Sequence, residues 1–155
     1  MAEPSKILVI EDNDDDYEAC VSALMLDGNL ANGLDRCETG DEALDYLFGR
    51  GNFAGADAPN RPGLILLDLN LPGTDGREVL AEIKADAELK MIPVVIMTTS
   101  GDDMDIESCY RDGANSYVVK PIDLEGFYAA ISRLREYWFE IVVLPEKQSN
   151  VAQRG

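Results

Sequence analysis

The sequence predicts a doubly wound α/β domain: a five-stranded parallel sheet with helices on both faces. Three observations predict it. Short, uninterrupted apolar runs recur along the chain, as expected of strands buried on both faces. Segments with apolar residues at helical spacing separate them. Most of the runs also stop abruptly at a polar or charged residue, as strands do where chemistry collects at their carboxyl ends. The chain has 155 residues, a length that suits one domain.

The first run is Ile7-Leu8-Val9-Ile10, which ends in the acidic stretch Glu11-Asp12-Asn13-Asp14-Asp15-Asp16. Tyr17, Cys20, Val21 and Leu24 then recur at helical spacing, and Gly28 is expected to close that helix. A weaker strand signal covers Ala31–Cys37. Thr39 or Asp41 can cap a helix through Ala43, Leu44, Leu47 and Phe48. Residues 49–63 are rich in Gly, Pro and Asn and read as a long exposed loop, either a tolerated insertion or a partner contact around Phe53. Leu64-Ile65-Leu66-Leu67 is the clearest buried strand and ends at Asp68, followed by a turn with Pro72 and Gly73 and a helix from about Gly76 to Lys84. Pro93–Met97 is another strand, ending at Thr98-Thr99-Ser100. A short helix over Met104–Arg111 and a last strand, Ser116–Val119, lead to Lys120-Pro121. A final helix starts near Leu124, with Phe127, Ile131, Leu134 and Trp138 on one face. A β-α unit repeated in this way makes parallel strands joined by right-handed crossovers.

Composition narrows the function. Apolar residues make up 46% and charged residues 28% of the chain, the balance of a globular protein. Acids outnumber bases 30 to 13, for a formal charge of −17. That charge favours basic or metal-bearing partners. With no Lys/Arg cluster to neutralise phosphates, it argues against nucleic acid. There is no histidine to act as base, metal ligand or phosphoryl carrier. Cys20, Cys37 and Cys109 lack Cys-x-x-Cys spacing and read as reduced core residues of a cytoplasmic protein. No signal peptide and no membrane span is expected.

The strand-end rule gathers the chemistry. Glu11, Asp12, Asp68, Thr98 and Lys120 all lie at strand ends on one edge of the sheet. Clustered carboxylates raise one another's pKa and call for compensation. Lys120 offsets about one charge, and the remainder calls for a divalent cation. Few, hard oxygen ligands favour Mg2+. Calcium fits less well: the stretch from Asp12 begins like an EF-hand loop, but Tyr17 stands where the turn needs Gly and Ala23 where a bidentate Glu belongs. Asp14, Asp15 and Asp16 therefore read as helix-start acids favoured by the helix dipole.

Four stretches, ILVIEDN, LILLDLNLPGTDGREVLAEIK, IPVVIMTTS and GANSYVVKP, resemble the receiver domain of bacterial two-component response regulators in residue type, order and spacing. The resemblance covers about residues 5–138 and implies a flavodoxin-like receiver fold of strand order 2-1-3-4-5. It implies that Asp12 is a direct Mg2+ ligand and that Glu11 acts mostly through water. Asp68 would be the phosphoacceptor and also a ligand, and Asn70 would offer its backbone carbonyl to the metal. Thr98 is similar to the switch hydroxyl and Tyr117 to the switch aromatic, while Lys120 is the lysine of the pattern and the Lys120–Pro121 bond is expected to be cis. Thr99 stands where Ala or Gly is frequent, so it bears on phosphate access.

The implied reading is a single-domain regulator that takes a phosphoryl group from a histidine kinase onto Asp68, and is not an enzyme on other substrates. An alternative is a magnesium-dependent phosphatase or phosphotransferase of the haloacid-dehalogenase kind. Such enzymes want an acid two residues after the nucleophile, where this chain has Asn70. A flavodoxin-like cofactor binder would need a phosphate-cradling loop after the first strand, where five acids repel phosphate. A binding adaptor that never takes up phosphate leaves the intact acidic set unexplained.

Residues 5–140 are expected to form the receiver domain and 141–155 an extension, apolar at first and disordered at its end. The apolar stretch Tyr137–Pro145 either folds back on the domain or forms an interface. Trp138, Phe139, Ile141, Val142 and Leu144 are its candidate dimer or partner residues. Tail, loop and motifs together are similar to stand-alone receivers that partner phytochrome-type histidine kinases and form homodimers. No output module is expected after the last helix.

Overall fold

The computed structural model describes residues 6–25, 33–55 and 61–137. Its strands are β1 (Ile7–Ile10), β2 (Leu34–Cys37), β3 (Leu64–Leu67), β4 (Val94–Thr98) and β5 (Ser116–Val119). They alternate with α1 (Asp14–Leu24), α2 (Gly40–Phe48), α3 (Gly76–Ala85), α4 (Asp103–Arg111) and α5 (Leu124–Glu136). All neighbours in the sheet pair in parallel, in the order β2-β1-β3-β4-β5. The predicted architecture and strand order are therefore correct.

The side-chain alternation of strands divides the core in two. Ile7, Val9, Leu64, Leu66, Val95 and Met97 face Cys20, Ala23 and Leu24 of α1 and Phe127 and Ile131 of α5. Leu8, Ile10, Ile65, Leu67, Val94 and Ile96 face α2, α3 and α4 through residues such as Leu44, Leu47, Val79, Leu80 and Cys109. This explains why β1, β3 and β4 read as continuous apolar runs: neither face meets water.

Each helix begins at a side-chain cap whose oxygen accepts a backbone N–H that the first turn leaves unpaired. Asn13 caps α1, Thr39 α2, Asp75 α3, Asp102 α4 and Asp123 α5. Thr39, rather than Asp41, is thus the cap of α2. The three acids Asp14, Asp15 and Asp16 occupy the first turn of α1, where the dipole favours them.

Four expectations need correction or bounding. The Lys120–Pro121 bond is trans, as no cis peptide occurs among the described residues; an X–Pro bond prefers trans by about 0.5–1 kcal/mol, and Lys120 reaches its carboxylate partners from that geometry. The second strand runs over Leu34–Cys37, shorter than expected, and only Cys37 in it is buried, because an edge strand has one neighbour and needs less apolar sequence. Phe53 is half-buried and meets Tyr46 edge-on with ring centroids 5.4 Å apart, so its ring is already used inside the fold. Gly28 and the tail residues Trp138, Phe139, Ile141, Val142 and Leu144 lie outside the described residues.

One close approach positions the site. The loop leaving β3 doubles back so that Gly76 N–H donates to the Leu69 carbonyl at 2.9 Å. A Cβ at Gly76 would lie 2.3 Å from the Asp68 carbonyl oxygen and 2.6 Å from the Leu69 Cα. Since backbone atoms obstruct it, Gly76→Ala is expected to cost roughly 3 kcal/mol, the upper part of the overpacking range, read as a lower urea midpoint at unchanged slope. A midpoint equal to wild type would show that the loop gives way freely.

Candidate functional site

The sheet places its chemistry at one edge because the strands are in register. Ile10 pairs with both Cys37 and Leu67, so Glu11 and Asp68 emerge side by side. Glu11 N–H donates to Cys37 carbonyl at 3.0 Å and Asp68 N–H to Ile10 carbonyl at 3.1 Å. Lys120 N–H donates to the Thr98 carbonyl at 2.7 Å, which carries the lysine in from the other side.

Glu11, Asp68, Thr98 and Lys120 are the polar side chains fully sequestered among the described residues. Such groups persist only when paired. Lys120 Nζ lies 2.6 Å from Glu11 Oε1, 2.8 Å from Asp16 Oδ2 and 3.2 Å from Asp68 Oδ2. One ammonium is thus shared by three carboxylates. Glu11, Asp12 and Asp68 each also offer an oxygen, and these atoms lie within 4.8 Å of one another. Asp12, at the exposed rim, completes a cluster whose other two members are buried.

The electrostatics follow. Burial pushes the Glu11 carboxyl up to about 7, with the neighbouring Asp68 charge adding to the rise, although the Lys120 ammonium opposes both. Burial alone would lower the Lys120 ammonium; its hydrogen bonds to Asp16 and Glu11 outweigh that and raise it, keeping it charged. The donors that remain suit a hard divalent cation: a few carboxylate oxygens, already converged, with surplus negative charge.

Asp68 is further fixed by Asn70, whose N–H donates to Asp68 Oδ1 at 3.2 Å. The Asn70 amide donates to Thr98 Oγ1 at 3.3 Å, and Ser100 N–H approaches the same oxygen at 3.5 Å. Tyr117 is half-buried against the α2–α4 layer, and its hydroxyl donates to the Ser100 carbonyl at 2.9 Å. Thr99 is exposed and lines a cleft of about 350 Å³ with Asp16, Lys120, Pro121, Ile122, Asp123 and Phe127.

The structure thus brings together Glu11, Asp12, Asp68, Asn70, Thr98 and Lys120, with Thr99 and Tyr117 flanking them. Sequence reasoning missed Asp16 as a partner of Lys120, because helix polarity already explained an acid there. With Asp16 counted, the charge around Lys120 starts one unit more negative than the three strand-end acids suggest. It also missed Arg36. Its Nε donates to the Glu11 carbonyl at 3.1 Å, its guanidinium pairs with Asp14 at 2.9 Å, and it lies over the Tyr17 ring at 4.3 Å. Arg36 braces the acidic loop from the edge strand.

Comparison with known proteins points the same way. Residues 7–132 match the model of the response regulator receiver domain. The response regulator Rcp1 of Synechocystis sp. is 37% identical over 142 residues, which span 92% of this chain and 94% of that protein. The crystal structure of a phosphorylated cyanobacterial phytochrome response regulator, RcpA, superposes with a TM-score of 0.84 at 40% identity, covering 92% of this chain and 99% of the other. A Mn2+-bound structure of Rcp1 gives the same TM-score at 37% identity, covering 92% and 99%. Nothing in these likenesses supports the haloacid-dehalogenase alternative.

Proposed function

This chain belongs to the response regulator receiver domain family, and from that premise we propose that Asp68 accepts a phosphoryl group from a histidine kinase with Mg2+ at the site, and that Thr98 and Tyr117 relay the change. The chain is a two-component response regulator of single-domain size. The observation that carries the residue assignment is the position of Asp68: a buried carboxylate at the end of β3, 3.2 Å from a charged lysine and beside two further acids.

In the proposed step an Asp68 oxygen attacks phosphorus. The P–O bond forms as the P–N bond to the partner's imidazole breaks, and the electron pair leaves with that nitrogen, which is protonated from solvent. Positioning and charge neutralisation supply the catalysis, since transferring phosphoryl groups ask little covalent chemistry of a protein. Glu11, Asp12, Asp68 and the Asn70 carbonyl would hold Mg2+, which when bound supplies charge neutralisation. Lys120 provides the second positive charge. A phosphoryl group brings about two negative charges in place of one, and the Thr98 hydroxyl would donate to part of the excess. A hydrogen bond to a charged group is worth about 1.5–3 kcal/mol. Formed only after transfer, it shifts a two-state equilibrium by about ten- to a hundredfold.

The metal assignment has its own readout. Titration with Mn2+, followed by the loss of the free-ion electron paramagnetic resonance signal, is expected to show one site. In Asp12→Ala the affinity is expected to fall roughly a hundredfold, because a ligand charge is lost from a site of few ligands. Unchanged Mn2+ affinity would remove Asp12 from the ligand set.

The kinase partner we favour is of the phytochrome type, given the likeness to phytochrome response regulators. The phosphoryl group and the conformational change are the chain's only chemistry on this reading, and its place is the cytoplasm. Among the described residues no helix is long and apolar enough to cross a membrane. A homodimer through the apolar tail is the companion proposal: sedimentation of a chain ended after Glu136 is expected to give a monomer, and a persisting dimer would exclude the tail.

A further inference from the structure

We propose that Arg77 and Asp105 are positioning residues of the switch: their ion pair fixes Ser100 so that its carbonyl seats the Tyr117 hydroxyl, setting Tyr117 in its inward position before any phosphoryl group arrives. This rests on the reading of Thr98 and Tyr117 as the switch pair.

The geometry is a chain of directed contacts. Arg77 of α3 grips Asp105 of α4 with two parallel hydrogen bonds, Nε to Oδ1 at 2.9 Å and a terminal nitrogen to Oδ2 at 2.8 Å. Its other terminal nitrogen is held by Asp75, the cap of α3, at 3.0 and 3.1 Å. Asp105 Oδ2 in turn accepts from the Ser100 hydroxyl at 2.7 Å. Asp102 N–H donates to that hydroxyl oxygen at 3.3 Å. Ser100 therefore has its hydroxyl tied to α4, its N–H directed at Thr98 Oγ1 and its carbonyl under Tyr117. A single residue touches both members of the switch, and Asp105 holds it.

An exposed ion pair by itself contributes little. This one differs in three respects: the grip is bidentate, the guanidinium is already braced by Asp75, and the acid accepts a third hydrogen bond, from Ser100. A half-buried tyrosine is held in place by an acceptor for its hydroxyl, and the Ser100 carbonyl is the acceptor Tyr117 has. If the carbonyl turns, the ring loses its reason to stay in. On the switch reading, Thr98 moves toward a phosphorylated Asp68 and Tyr117 sits inward in that arrangement. The inward position therefore belongs with the phosphorylated arrangement, and whatever favours it raises the fraction competent to hold a phosphoryl group.

The test uses the full-length chain and two readouts. The ring signals of Tyr117 in the unphosphorylated protein, assigned by Tyr117→Phe, report its position directly. The affinity for beryllofluoride with Mg2+, a phosphoryl mimic, reports the coupled state. Arg77→Met and Asp105→Ala are expected to move the Tyr117 signals toward those of a solvent-exposed tyrosine and to weaken beryllofluoride binding roughly three- to tenfold. Ser100→Ala keeps the ion pair but cuts its link to the loop, and is expected to do the same. Arg111→Ala removes the 2.9 Å pair with Glu107 on the same helix and is expected to leave both readouts at wild-type values. Tyr117 signals unmoved in Arg77→Met and Ser100→Ala overturn the proposal. A wild-type chain that fails to bind beryllofluoride overturns the phosphoacceptor reading instead, and the tyrosine signals still decide this one.

Discussion

Asp68→Asn takes up no phosphoryl group from acetyl phosphate and Mg2+, whereas the wild-type chain gains one phosphoryl mass that EDTA prevents. This is the expected result, and its size follows from the chemistry. A carboxylate oxygen is the nucleophile, an amide oxygen is not, and loss of a covalent nucleophile lowers such rates by roughly 10⁴–10⁶-fold. The fold is expected to survive. Lys120 keeps Glu11 at 2.6 Å and Asp16 at 2.8 Å, so it is not stranded. Glu11 also loses the neighbouring charge that helps to raise it. The urea midpoint of Asp68→Asn is therefore expected at or above that of wild type. Phosphoryl uptake that persists in the variant would refute the assignment of Asp68.

Lys120→Met is expected to be the most damaging single change to the site. It strands Glu11 and Asp68, which are buried, and releases Asp16. Removing one partner from a buried ion pair costs about 3–5 kcal/mol. The loss has a definite pH dependence. In wild type the Lys120 ammonium is raised in the fold, so its contribution is fully present below the ordinary lysine value of 10.5 and is lost only in strong alkali. In the variant the Glu11 carboxyl, already raised by burial, loses the cation that opposed the rise, so its folded value lies above its unfolded one. Such a group favours the fold when protonated. The deficit is then expected to be small near pH 5 and full near pH 8, read as urea midpoints at the two values. A deficit equal at both would mean that the stranded acids find other partners. Phosphorylation by acetyl phosphate is expected to slow roughly a hundredfold, because one preorganised positive charge is gone.

The sequence made some parts of this site plain and hid others for physical reasons. The strands β1, β3 and β4 are sealed on both faces, so their apolar runs are unbroken and the residue that ends each run is conspicuous. That is how Glu11, Asp68 and Thr98 were legible. The edge strand β2 carries Asp35 and Arg36 amid two apolar residues, and its length was overestimated accordingly. Contacts across large separations left no local trace. Asp16 and Lys120 are 104 positions apart, and the capping and dipole logic that explains Asp16 says nothing of its second partner. Arg77 and Asp105 each look like ordinary helix-surface charges at a separation of 28, and only the packing of α3 beside α4 turns them into a grip. The peptide before Pro121 was misjudged because the family pattern, not any residue nearby, suggested its isomer.

The three cysteines offer a practical opening. Cys20, Cys37 and Cys109 are buried in the apolar layers, and burial pushes the Cys20 and Cys37 thiols up to about 12. Because the thiolate is the reactive form, burial and the raised thiol pKa both act against reaction at these positions. The three native thiols are therefore expected to react slowly with maleimide reagents while the chain is folded. A cysteine introduced in place of Met104, 79% exposed on α4, would be the dominant labelling site. A spin or fluorescent label there could follow α4 in an otherwise wild-type background.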